Sequence, residues 1–105
     1  MLGKQADQML PMLLGNFLQD GVRLLSSARQ ALAESRANDL CRAAHSLKSA
    51  AATFGAMALS AVAKELEMLT KPGTLEGAET LIARGEEEFA RAKTALEQAQ
   101  KGGTA

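Results

Sequence analysis

Residues 78–99 read AETLIARGEEEFARAKTALEQA, and their spacing decides the fold class. Ala78, Ile82, Gly85, Phe89, Ala92, Leu96 and Ala99 recur in alternating steps of four and three. That spacing lays one apolar seam along a helix and leaves the charges, Glu86 to Glu88 among them, on the other faces. The rest of the chain is built from the same helix-forming types, with few β-branched residues for strands. Leu59, Val62, Leu66 and Leu69 mark a helix over about 57–70, and the turn KPGT (71–74) separates it from the last one, with Thr74 as its expected cap. Upstream, a helix carrying His45 is expected from Asn38 or Ser35 to about Gly55, which suits the left-handed residue past a helix end. Before it, Val22, Leu25, Ala28 and Leu32 share a face of a helix from Asp20 to about Ser35. Leu10, Leu13, Leu14, Phe17 and Leu18 predict a short first helix beginning near Pro11, broken or bent at QDG (19–21). Short connections make successive helices antiparallel neighbours. The expected fold is all-α, an antiparallel up-and-down four-helix bundle with a short or bent additional N-terminal helix. One domain over 1–105 is expected, with its core at about 10–99 and loose ends at 1–7 and 101–105.

Composition narrows the function classes. Twelve basic and twelve acidic residues cancel, and Trp and Tyr are absent. A nucleic-acid partner therefore has neither a basic surface nor stacking platforms to support it. No apolar run approaches the ~20 residues of a membrane span. One cysteine, Cys41, cannot form an internal disulfide, which suits a reducing cytoplasm. A soluble cytoplasmic monomer is expected.

The only histidine, His45, stands among small residues in AAHSLKSAAATFGA (43–56). With His45 at zero on a helical wheel, Phe54, Leu47, Leu40 and Ala51 lie between about 180° and 240°. Cys41, Arg42, Lys48, Ser49 and Ala52 all fall within about 60° of the ring. Core and imidazole therefore face opposite ways, and the ring is expected in solvent, where a neutral imidazole is nucleophilic. Lys48, three residues on, can bring an ammonium to an anion held at the ring. Ser49 and Ala52, one and two turns on, are small and leave the ring open to a docking surface. No metal site is expected: one histidine and a cysteine four residues before it do not close a coordination sphere. Nor is a Cys41–His45 catalytic pair, because the sequence offers no orienting group or general base beside them. The reading requires a ring that projects into water and a lysine that is not committed elsewhere.

HSLKSAAATFGA (45–56) resembles the signature of histidine-containing phosphotransfer domains, the helical modules of multistep phosphorelays. That pattern is His, any residue, Leu, Lys, a small residue, and later an apolar residue followed by Gly and often Ala. His45, Leu47, Lys48, Ser49, Phe54, Gly55 and Ala56 fill it in order, with Ser49 where Gly is commonest. LSAVAKELEML (59–69) is similar to the family's next helix, with its Leu-Glu near the end, and FLQDGVRLLSSARQAL (17–32) to its preceding ones. The resemblance implies that His45 carries a phosphoryl group on a ring nitrogen, usually the outer one. It implies Lys48 as an electrostatic partner of that group and Ser49 as the residue that keeps the site open. It also implies a phosphocarrier without catalysis of its own and with no cofactor. Its partner would be a response-regulator receiver domain, possibly part of a hybrid sensor kinase, that brings the aspartate and Mg²⁺ and docks around His45, with Cys41, Arg42, Ser49 and Ala52 as the candidate docking face. Two alternatives stand beside it. One is a helical scaffold with an inert His45; the other is the phosphate-accepting domain of a chemotaxis-type histidine kinase.

Overall fold

In the computed structural model the backbone is described for residues 2–104 and the side chains for residues 12–99. Four helices follow one another: α1 (Leu2–Ala33), α2 (Ala37–Thr53), α3 (Met57–Thr70) and α4 (Ala78–Thr104). Each packs against its neighbour in sequence and α4 closes back on α1, while the backbones of the diagonal pairs stand farther apart. This is the expected up-and-down bundle. There is no separate N-terminal helix: residues 2–7 and the expected break at 19–21 lie inside α1, and 101–104 lie inside α4.

The continuity of α1 has a packing cause. Leu14, Phe17, Gly21, Leu24, Ala28 and Ala31 are all buried, in steps of three and four that run straight through QDG. Gly21 is part of this seam because a Cβ there would stand 2.2 Å from Phe89 Cε1 on α4. It is a close-approach residue, not a helix breaker. Val22, expected in the core, is off the seam and exposed.

The helix ends also differ from expectation. Ser35 does not cap α2; it ends α1, with φ +57°. Its N–H donates to Leu32 C=O, and that of Arg36 donates to Ala31 C=O. Gly55 ends α2 in the same Schellman pattern, at φ +73°. Thr74 Oγ1 accepts from the Glu76 N–H, closing a local turn four residues before α4 rather than capping it.

Two apolar clusters fill the bundle. One gathers Phe17, Leu25, Leu47, Leu59 and Phe89, with Phe54 packed against it. Phe17 stacks on Phe54 with centroids 4.8 Å apart and meets Phe89 at 5.9 Å. The other gathers Ala28, Leu40, Ala44, Leu66 and Ile82. Small residues on α2 let α3 come close, and Ser60 Oγ of α3 donates to Lys48 C=O at 3.0 Å. That bond fixes the α2–α3 register and with it the surroundings of His45.

Candidate functional site

The core face of α2 is Leu40, Ala43, Ala44, Leu47 and Ala51, all buried. His45 is therefore turned out, and its side chain is 61 % exposed. Because α3 runs antiparallel beside α2, Glu67 comes opposite His45. Its carboxylate receives both site residues: His45 Nδ1 lies 2.7 Å from Oε2, and Lys48 Nζ donates to Oε1 at 2.7 Å. The Glu67 side chain is largely covered, and that of Lys48 is about one-third exposed.

The charge state of Glu67 fixes the imidazole. The Lys48 ammonium is the chief cause holding this carboxyl below its ordinary range; partial burial opposes it, and the His45 hydrogen bond adds to the lowering. An ionised carboxylate only accepts hydrogen bonds, so Nδ1 carries the proton. The lone pair of neutral His45 is then on Nε2. The ring is held by one nitrogen, and the other keeps its lone pair.

The sequence reading placed no acidic or orienting group beside His45, and Glu67 corrects it. Lys48 lies next to the ring, as the spacing requires, but its ammonium is paired with Glu67, so the uncommitted lysine expected from the sequence is corrected to one that shares a carboxylate with the ring. Of the expected docking face, Arg42, Ser49 and Ala52 are exposed, while Cys41 is half-buried with Sγ 3.6 Å from the Glu67 carbonyl oxygen. An open groove of about 640 Å³ runs from the ring between α2 and α3, lined by Cys41, Arg42, Asn38 and Ser46 on one wall and by Glu67 and Lys71 on the other. Ser49 and Ala52 lie on the far side of His45, outside the groove lining. Among the described residues no group of three or more His, Cys, Asp or Glu side chains is arranged to hold a metal ion. Likewise no described helix is long and apolar enough to cross a membrane.

Residues 12–102 match the family described as Hpt domain. The fold matches the crystal structure of histidine-containing phosphotransfer protein B from Pseudomonas aeruginosa PAO1 with a TM-score of 0.83 and 35 % identity, over 87 % of this chain and 79 % of that one. No curated protein matches the chain. Hpt domains are phosphocarriers that work with receiver domains and histidine kinases. The chain belongs to the Hpt family and is a histidine phosphotransfer module of phosphorelays.

Proposed function

We propose that His45 is the phosphoryl carrier, taking the group from and returning it to a receiver-domain aspartate through Nε2. The observation that supports this most is the Glu67 hydrogen bond to Nδ1, which leaves Nε2 as the exposed lone pair. In the forward step Nε2 attacks phosphorus of the partner's acyl phosphate. The N–P bond forms, the O–P bond breaks, and the carboxylate leaves with the electron pair. The Nδ1 proton stays in place, so the phosphorylated ring is cationic and the Glu67 carboxylate stabilises it. In the reverse step a carboxylate oxygen attacks phosphorus and the N–P electron pair returns to Nε2. The partner would supply Mg²⁺, held by its own carboxylates, to offset charge on the phosphoryl oxygens. Lys48, kept beside the ring by Glu67, adds positive potential for the arriving group. The domain acts as a carrier, and the partner completes the catalytic site. The free thiol of Cys41 suits the cytoplasm.

The test is incubation with phosphorylated receiver domains and Mg²⁺. The wild type should acquire an acid-labile, base-stable label, and unlabelled protein with every receiver would contradict the proposal. Glu67→Ala should slow transfer by up to about a hundredfold through loss of ring positioning. Glu67→Gln, whose amide oxygen still accepts from Nδ1–H, should recover part of that loss. Equal rates for both variants and wild type would remove Glu67 from the mechanism. Lys48→Ala should slow transfer without unfolding α2, since Ala favours helix.

The same contacts set a pH dependence. The carboxyl of Glu67 is lowered in the folded state, so the stabilisation it provides is present above the ordinary carboxylate pKa, about 4.3. It is lost only as pH falls through the lowered folded value. The His45–Glu67 contact should persist through neutral and mildly acidic pH. A carbon-detected titration of Glu67 should show this, with its midpoint moving upward in Lys48→Ala; an unmoved midpoint would show that the ammonium does not hold the carboxylate.

A further inference from the structure

Two cations at the mouth of the His45 groove are left over after the site's charges are matched. Glu67 is matched by Lys48, and nearby Asp39 lies 3.6 Å from Arg36, which holds Glu34 more closely at 2.8 Å. Arg42 and Lys71 remain, both exposed, and among the described residues neither has a carboxylate within ion-pairing distance. They stand on opposite walls of the groove: Arg42 three residues before His45 on α2, and Lys71 four residues after Glu67 at the end of α3. Lys71 also meets the negative end of α3, which stabilises that helix. That role accounts for Lys71 alone and leaves the pairing with Arg42 across the groove unexplained.

We propose that Arg42 and Lys71 form an electrostatic clamp that selects a partner face rich in carboxylates around its own phosphoacceptor. The inference rests on the phosphotransfer reading of His45. A receiver that holds Mg²⁺ must surround it with oxygen ligands, largely carboxylates, so the face that meets His45 is anionic. Two exposed cations flanking the ring complement that face and steer it onto the nucleophile. Steering acts over roughly a Debye length, about 10 Å at 0.1 M salt, so it needs no fixed side-chain geometry.

The test uses the full chain phosphorylated with phosphoramidate and a panel of Mg²⁺-loaded receiver domains, followed under single-turnover conditions. Arg42→Glu combined with Lys71→Glu should lower the apparent second-order transfer rate by about tenfold to a hundredfold at low salt. The loss should fall on the half-saturating receiver concentration, with the rate at saturation changed by less than about threefold. Raising salt from about 0.1 M to about 1 M should slow the wild type and speed the double variant, whose reversed charges repel the anionic face until the screening length shrinks to about 3 Å. Lys93→Glu on α4, the helix diagonal to α2, should leave transfer unchanged. If the double variant fails to fold by circular dichroism, the single variants Arg42→Gln and Lys71→Gln should show smaller changes of the same kind. Wild-type half-saturation and salt dependence in folded variants would overturn the clamp, as would a loss confined to the saturating rate. A wild type that is labelled by phosphoramidate yet passes phosphate to no receiver would overturn the transfer reading itself, and the clamp with it.

Discussion

His45→Gln should abolish phosphorylation entirely while changing stability by less than about 0.5 kcal/mol. The two halves of this expectation come from different observations. Loss of the label follows because no other histidine exists in the chain. Retention of stability follows because the ring is 61 % exposed and lies opposite the buried face of α2. A glutamine amide at this position still donates to Glu67, so its carboxylate is not stranded. The measurement is phosphoryl label from a receiver domain alongside a urea unfolding curve. Label retained by the variant would place the phosphoryl group elsewhere. A loss of several kcal/mol, the scale of large-to-small core damage, would mean the ring is packed rather than presented.

Gly21→Val should be the most damaging single change outside the site, costing about 2–3 kcal/mol by overpacking. In an exposed helix interior the same change would be neutral or mildly stabilising, because glycine is about 1 kcal/mol worse than Ala there. Here a Cβ would stand 2.2, 2.7 and 2.9 Å from three atoms of the Phe89 ring. That ring is itself held against Phe17 in the core. The loss is a large share of the ~5–15 kcal/mol that keeps a typical domain folded. Phe89→Leu introduced with Gly21→Val should recover part of it, since the two sites then couple through the space they share. A Gly21→Val protein with an unchanged or higher urea midpoint would contradict the close approach of α1 and α4.

Gly21 also shows where the sequence misled. Residues 19–21 read as a break because glycine and aspartate end helices when nothing packs on them. Yet Leu14, Phe17, Gly21, Leu24, Ala28 and Ala31 keep the same alternation of three and four that identified α4. Counted as a seam residue, Gly21 joins the two expected helices into one. α3 and α4 were legible because their apolar positions are large and regular. The cap at Thr74 and the role of Ser35 were not, since both depend on the exact residue at which the backbone leaves the helix.

At the site, the direction of His45 and its nearness to Lys48 were legible, being properties of a single helix. Glu67 was not. It stands one residue past the buried Leu66, on the border of the α3 core face, and nothing in the α3 pattern says which residue of α2 it meets. That depends on the register between two helices, fixed by Ser60 bonding to the Lys48 carbonyl and by the small side chains of α2. The engagement of Lys48 by Glu67 was hidden for the same reason. It alters the part assigned to the lysine: its ammonium reaches the ring through a shared carboxylate, which it also keeps ionised. Arg42 was visible as a docking position from the wheel, whereas Lys71 enters the groove only once α3 is laid beside α2.

The most direct measurement is a long-range proton–nitrogen correlation of the phosphorylated, ¹⁵N-labelled protein, which reports the state of each nitrogen of its single histidine. With Nδ1–H held by Glu67, phosphorus should be bonded to Nε2 and the Nδ1 proton retained. Phosphorus on Nδ1 would contradict the account, because that nitrogen would then have to abandon the carboxylate around which the site is built.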